Sequence, residues 1–166
     1  MEGKIMKKIV GSIFGFLGSV IICGYLIKNI RDKYQCEIAN KNNSIKKFKM
    51  YYTLYDEWLC AKQLGFNMEN WFIERGYTQI AIYGMGGLGT RLLKELENGL
   101  VEVVYGIDQS CYGEYETFKI YQPSDKLPEV DAIVVTSVSA YLEIKEKLCQ
   151  SVSCPIINIE NCIYDI

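Results

Sequence analysis

The chain has 166 residues, of which 49% are hydrophobic and 23% charged, so it can form a compact domain with an attachment and is not a disordered sequence. Its charge is uneven: residues 1–50 carry ten Lys/Arg and three Asp/Glu, whereas residues 51–166 carry eight and seventeen. The basic part suits an anionic membrane surface. The acidic part argues against nucleic acid as the main partner, because binding to phosphates needs clustered cations.

The chain has seven cysteines and no histidine. The absence of histidine excludes a His-dependent catalytic triad, and a metal site would need an unusual set of thiolates alone. The number of cysteines is odd and no two have C-x-x-C spacing. We therefore predict free thiols in a reducing compartment and no metal cofactor.

The first predicted element is a membrane anchor in residues 1–30. Ile9 to Ile27 is a run of nineteen residues without a charge, which as a helix would span roughly 28 Å, close to the thickness of the hydrocarbon core. A cleavable signal peptide fits less well, because no small-residue cleavage site follows the run. Lys and Arg are more numerous after the run than before it, which favours a cytoplasmic carboxy-terminal domain. The sequence thus predicts a single-pass membrane protein.

Small residues recur every four positions in this run and would form one face of the helix. Such a face lets two membrane helices approach closely and gain van der Waals contact. The pattern therefore predicts a homodimer through the anchor. The residues concerned are Gly11, Gly15, Ser19 and Cys23.

A helical stalk is predicted over residues 31–66. One set of its apolar residues follows alternating three- and four-residue spacing over two heptads, and a second apolar stripe lies beside it. Two heptads are too few to indicate a coiled coil, so a helix that docks on the following domain is the simpler interpretation. The first stripe consists of Ile45, Phe48, Tyr52, Tyr55 and Leu59, and the second of Tyr51, Leu54 and Trp58.

A glycine-rich turn follows a short apolar run, Thr78 to Tyr83, that is typical of a buried parallel strand. After the turn come a predicted helix, Leu88 to Glu97, which Gly99 would end, and a second strand, Val101 to Ile107. This order is a β-α-β unit, and the turn matches the G-x-G-x-x-G pattern of nucleotide-binding folds. The turn comprises Gly84, Met85, Gly86, Gly87, Leu88 and Gly89.

Each part of this unit has an expected role in ligand binding. Gly84 would permit the tight turn, Gly86 would let a pyrophosphate approach the backbone, and Gly89 would let the helix pack closely on the strand. The amino terminus of the helix would attract a phosphate. Asp108, at the end of the second strand, would accept hydrogen bonds from ribose hydroxyls. The alternatives are that the glycines serve only the turn, with an empty or altered pocket, and that Asp108 is only an acid at the end of a strand.

Three more strands complete an α/β fold in residues 67–166, a small Rossmann-like domain. They are predicted at Phe118 to Tyr121, Ala132 to Thr136 and Ile156 to Ile159, and the five mainly parallel strands take the order 3-2-1-4-5. The switch point between strands 1 and 4 brings Thr136 and Ser137 beside the glycine turn. Either hydroxyl can then contact a ligand, although capping the next helix is the simpler role for Ser137.

Four segments of the chain carry a resemblance to a known group of domains. They read IAIYGMGGLGTRLLKELENG, VVYGIDQS, LPEVDAIVVTS and CPIINIENCIYDI, and they fall between Gly76 and Ile166. The chain here resembles small bacterial Rossmann-like domains of surface-polysaccharide synthesis, including the amino-terminal domain of sugar O-acyltransferases, and NAD(P)-binding domains generally. The resemblance implies NAD or a nucleotide-sugar as ligand and a glycosyltransferase or other polysaccharide enzyme as partner. The hexapeptide repeats of the acyltransferases do not occur, so their catalysis is not carried over.

These observations lead to one leading hypothesis of function and two alternatives. The leading one is a membrane-anchored module that binds a nucleotide-sugar or dinucleotide and acts with a polysaccharide enzyme. The first alternative is an NAD(P)-dependent oxidoreductase or epimerase with catalytic residues from a partner, and the second is a degenerate assembly domain. No catalytic residue is assigned: Tyr141 and Lys145 have a spacing used by dehydrogenases, but such a pair is ordinary on a helix. NAD is favoured over NADP because no Arg follows Asp108 directly.

Overall fold

A computed structural model of the chain describes the backbone of residues 2–110, 113–114 and 119–165 and the side chains of residues 23–110 and 119–165. The chain divides into two compact units, residues 1–50 and residues 51–166. Helix α1, Glu2–Gln63, supplies the first unit and the beginning of the second. The glycine turn and all the strands belong to the second unit.

The prediction of a membrane anchor is wrong. Among the described residues, no helix contains a stretch that is long and apolar enough to cross a membrane. The predicted anchor is not a separate element, because α1 continues through it and onward to Gln63. The described part of α1 carries closely spaced charges, such as Lys28, Arg31 and Glu37, and charged side chains are costly in hydrocarbon. The predicted single-pass membrane location depended on the anchor and is therefore wrong as well.

The small-residue face that predicted a homodimer lies mostly outside the described side chains. Gly11, Gly15 and Ser19 fall in that part of α1, and the fourth member, Cys23, is exposed. The homodimer therefore stays a prediction.

The last three turns of α1 pack within the second unit. Leu54, Trp58 and Ala61 are buried, whereas Tyr52 and Leu59 are 64% and 56% exposed. The second of the two apolar stripes in the sequence therefore faces the domain, and of the heptad stripe Tyr55 is half-buried there. This is the docked helix that the sequence favoured over a coiled coil.

The second unit is built on a six-stranded sheet in the order β3-β4-β2-β1-β5-β6. Five of these strands are parallel. When these five are numbered by their order in the chain, their order across the sheet is 3-2-1-4-5, which confirms the predicted α/β topology. The sixth, β3, is a two-residue antiparallel strand at the edge. The strands are β1 (Gln79–Tyr83), β2 (Glu102–Ile107), β3 (Gly113–Glu114), β4 (Lys119–Tyr121), β5 (Ala132–Val135) and β6 (Ile156–Asn158).

Strands β1 and β5 are covered by other elements on both faces. All four residues of β5 are buried, and all residues of β1 except the first. This matches the apolar runs from which both strands were predicted, because a parallel sheet with helices on both sides leaves no polar face. The helices of the second unit are α2 (Met68–Glu74), α3 (Gly87–Leu96), α4 (Tyr141–Leu148) and α5 (Ile159–Tyr164), and a 3-10 turn, Val138–Ala140, precedes α4.

The ends of the first helices follow ordinary capping rules. Gly65, after α1, and Gly76, after α2, both have positive φ, which glycine adopts without strain. The side chain of Asn67 accepts a hydrogen bond from the backbone N–H of Glu69 and caps α2 as predicted. The end of α3 differs from the prediction, since the residue with positive φ is Asn98 and not Gly99.

Gly99 has another role in the fold. A Cβ on Gly99 would collide with the carboxylate of Glu69, which accepts hydrogen bonds from the backbone N–H groups of Leu100 and Val101. Glycine at this position therefore lets the side chain of Glu69, in α2, approach the backbone that leads into β2. This contact joins α2 to the chain between α3 and β2.

Candidate functional site

A cleft of about 660 Å³ lies at the carboxyl ends of β1, β2 and β5, where the strand order reverses. In open α/β sheets this switch point is the usual place for a ligand. The glycine turn, the residues after β2 and β5, helix α4 and the docked part of α1 all contribute to its walls. All of these residues belong to the second unit.

Gly84 begins the turn in a conformation that favours glycine. Its φ is +96°, and a Cβ on it would lie 2.6 Å from the hydroxyl oxygen of Ser137 and 2.9 Å from that of Thr136. Its backbone N–H donates a 2.8 Å hydrogen bond to the carbonyl of Ile107. The tight turn from β1 into α3 therefore depends on the missing side chain, which is the role expected of Gly84.

The other two glycines of the motif differ in their surroundings. A Cβ on Gly89 would collide with the carbonyl oxygen of Gly84 and would lie 3.3 Å from Cγ2 of Ile82, so Gly89 permits close packing of α3 on β1. Gly86 is exposed, and a Cβ on it would meet no atom within 4 Å. The backbone at Gly86 is therefore open to approach by a ligand, while Gly89 is structural.

Two residues of the motif have side chains, and both side chains are buried. Met85 and Leu88 are 8% and 3% exposed, so their side chains belong to the core of the unit. Gly86 is the N-cap of α3 and has no side chain with which to cap the helix. The first-turn N–H groups of α3 therefore receive no cap from this residue, which suits an anionic ligand group.

Asp108, the predicted acceptor for ribose hydroxyls, holds the glycine turn. One of its carboxylate oxygens accepts a 2.8 Å hydrogen bond from the backbone N–H of Met85. The other accepts bonds of 2.9 Å from both the N–H and the hydroxyl of Ser110. At least three donors of the protein are thus directed at this carboxylate, and a ribose would compete with them.

Thr136 and Ser137 lie beside the turn, as the strand order predicted, but they act differently. Thr136 is 4% exposed, and its hydroxyl donates to the carbonyl oxygens of Tyr83 and Gly84 at 3.1 and 2.5 Å. Ser137 lines the cleft, and its side chain makes no cap hydrogen bond to the 3-10 turn that follows. The capping role expected of Ser137 is therefore wrong, and of the two hydroxyls that of Ser137 is the better placed for a ligand.

Sequence reasoning missed three walls of the cleft. Tyr51 and Tyr55 enter from α1, and Glu143 and Lys147 enter from α4. The two α4 residues form an ion pair of 2.6 Å, and this contact lowers the pKa of Glu143 and raises that of Lys147. Tyr83, the last residue of β1, forms the third wall, and burial raises the pKa of its phenol. Among the described residues that line the cleft, Lys147 is the single cation.

The Tyr and Lys pair on α4 does not form a dehydrogenase site. The hydroxyl of Tyr141 donates to the carbonyl oxygen of Ile156 at 3.0 Å, and Lys145 lies 5.6 Å from the centre of the same ring. Neither residue lines the cleft. A second pair with this spacing begins at Tyr115, which lies outside the described residues.

The cysteines and acids form no metal site in the described part of the chain. There, no group of three or more Cys, Asp or Glu side chains is placed to hold a metal ion. The six cysteines with described side chains are all free thiols. Burial raises the pKa of one of them, Cys162, to about 12.

The glycine turn and its neighbours fall within one recognisable stretch of sequence. Residues 76–156 match the family model described as C2185-like, N-terminal. The match spans a little under half of the chain and includes the turn, Asp108 and Ser137, but not helix α1 or α5. No curated protein and no solved structure matches the chain.

Proposed function

We propose that the second unit binds a nucleotide-type ligand at the glycine turn. The observation that supports this best is the cleft at the switch point, which has the open backbone of Gly86 on its floor. Its volume of about 660 Å³ suits a small organic ligand. A phosphate over Gly86 would face the uncapped amino terminus of α3, where N–H groups and the helix dipole favour negative charge.

Within this class we favour a nucleotide-sugar over NAD. The acid that would bind the adenosine ribose of NAD, Asp108, is already bonded to Met85 and Ser110. Binding of NAD in the usual way would break or share these bonds. A nucleotide-sugar can instead offer its sugar hydroxyls to Ser137 and to the polar pair of Glu143 and Lys147.

We further propose that the unit presents its ligand to a separate enzyme of polysaccharide synthesis, such as a glycosyltransferase. Support comes from the described residues of the cleft, where the single cation is paired with a carboxylate and there is no histidine in the chain to act as a base. An oxidoreductase with catalytic groups from a partner is less favoured, because the hydroxyl of Tyr141 is bonded to the sheet.

Ligand identity is tested by a thermal-shift screen of the full chain against UDP-sugars, UDP, NAD and NADP. We expect stabilisation that increases with ligand concentration for at least one UDP-sugar, and a smaller shift for NAD. Stabilisation by NAD alone would reverse the order of preference. If none of the four classes stabilises the protein at millimolar concentration, the nucleotide proposal is wrong and an assembly role is the better account.

A further inference from the structure

Helix α1 supplies part of the cleft from a segment of the chain that precedes the glycine turn and all the strands. Tyr51 and Tyr55 line the cleft although both precede the stretch that matches the family model. Leu54 and Trp58 on the same helix are buried, so the docked turns of α1 are fixed against the domain. The site of this chain therefore has a wall that the glycine motif alone does not provide.

Tyr55 lies directly over the glycine turn. A Cβ on Gly87 would be 2.6 Å from the hydroxyl oxygen of Tyr55, and that oxygen would be its nearest neighbour. Gly87 is not one of the three glycines of the G-x-G-x-x-G pattern, so the pattern does not explain it. The missing side chain at Gly87 leaves room for the Tyr55 hydroxyl next to the open backbone of Gly86.

The ring of Tyr55 lies beside a cation, and its hydroxyl is available to a ligand. The guanidinium carbon of Arg91 lies 5.5 Å from the ring centre, within the range of a cation–π contact. Among the described residues, none forms a hydrogen bond with the Tyr55 hydroxyl. Burial raises the pKa of Tyr55, so the hydroxyl keeps its proton at neutral pH and remains a donor.

We propose that Tyr55 is a ligand-contact residue whose hydroxyl donates a hydrogen bond to a phosphate oxygen of the nucleotide above Gly86 and Gly87. This inference rests on the proposed function and assigns one phosphate contact of the site to α1. A tyrosine placed there selects ligands that carry a phosphate at the turn. It also makes binding depend on the docked part of α1.

The test compares phosphorylated and unphosphorylated probes on the full chain. Calorimetry measures the Kd of UDP and uridine, and of ADP and adenosine, for the wild type, Tyr55→Phe and Tyr52→Phe. Tyr52 is the matched control, because it lies on the same helix with 64% of its side chain exposed. We expect Tyr55→Phe to weaken the binding of the diphosphate by about tenfold, the effect of one hydrogen bond to a charged group. Nucleoside binding by this variant, and all binding by Tyr52→Phe, stay within twofold of wild type.

Other results overturn the inference in distinguishable ways. Unchanged diphosphate binding by Tyr55→Phe would show that the hydroxyl does not contact the phosphate. An equal loss of nucleoside and diphosphate binding would show that Tyr55 only shapes the cleft. If the wild type binds neither member of either pair, the proposed nucleotide function fails first, and the role of Tyr55 fails with it.

Discussion

The backbone N–H of Met85 donates a 2.8 Å hydrogen bond to the carboxylate of Asp108, and this bond ties the glycine turn after β1 to the end of β2. The same carboxylate accepts two bonds from Ser110, so it also fixes the first residues of the following loop. An acid at this position is usually assigned to a ribose. In this chain its first role is to hold two neighbouring loops of the cleft together.

Replacement of Asp108 by alanine is therefore expected to destabilise the protein even without ligand. The change leaves the N–H groups of Met85 and Ser110 without their acceptor, and we expect a loss of about 1–3 kcal/mol in the free energy of unfolding. Asp108→Asn, which keeps one acceptor oxygen, should lose less. Urea denaturation checks both, with the exposed Asp56→Ala as control. Equal stability of Asp108→Ala and Asp56→Ala would contradict the role in the turn.

The glycines of the turn should differ in how much an added methyl group destabilises the protein. Gly89→Ala forces a Cβ against the carbonyl oxygen of Gly84, and we expect it to cost about 1–3 kcal/mol, as overpacked sites do. Gly86→Ala adds its methyl to open space, so it should cost only about 0.5–1 kcal/mol, the effect of a poorer N-cap residue. The two variants are compared by urea denaturation. A larger loss for Gly86→Ala than for Gly89→Ala would disprove this assignment.

Glu95 joins three helices and should be needed for the docking of α1. Its side chain is 8% exposed, and it accepts bonds from Trp58 Nε1 at 2.9 Å, Lys62 Nζ at 2.8 Å and the backbone N–H of Met68 at 3.3 Å. The amide in Glu95→Gln has one acceptor oxygen and cannot serve donors on both sides. Because Lys62 is 46% exposed and can be solvated, we expect a loss of only about 1–3 kcal/mol.

Unfolding followed by tryptophan fluorescence measures this loss, since Trp58 reports on the docked helix. Glu97→Gln is the control, because Glu97 is exposed just beyond the end of α3. A Glu95→Gln protein as stable as Glu97→Gln would show that the carboxylate does not hold α1 in place.

Asp131 should make stability sensitive to acid. Backbone N–H groups of Gln79 and Thr78 donate to its carboxylate, and these bonds lower its pKa from 3.8. A lowered pKa means that the carboxylate stabilises the folded state fully above pH 3.8 and loses this effect as pH falls through the lowered value. The difference in the free energy of unfolding between wild type and Asp131→Asn should be constant near neutral pH and shrink below pH 3.8. A difference that grows on acidification would contradict the assignment.

The features that were predictable from sequence are local in the chain. The strand order followed from apolar runs and the β-α-β rule, and both Asn67 as a cap and Gly84 as a turn residue followed from the chemistry of single positions. The five parallel strands occur in the predicted order. Helix α5 was missed, because six residues are too few to show a helical period.

The features that were missed depend on residues far apart in the chain. Two residue pairs join α1 to α3: Tyr55 with Gly87, and Trp58 with Glu95. No local sequence pattern predicts such pairs. The heptad spacing that includes Tyr52 indicated a face of the helix that is mostly exposed. The membrane prediction came from the run Ile9 to Ile27, but among the described residues no helix is long and apolar enough to cross a membrane.

The most direct test of the central claim is a calorimetric titration of the wild type and of Gly86→Val with the UDP-sugar that stabilises the protein best. The valine side chain would occupy the open space above the turn without entering the core. We predict that the wild type binds the UDP-sugar, and that Gly86→Val remains folded but loses binding by at least tenfold. A folded Gly86→Val protein that binds as tightly as wild type would contradict the claim that the ligand lies at the glycine turn.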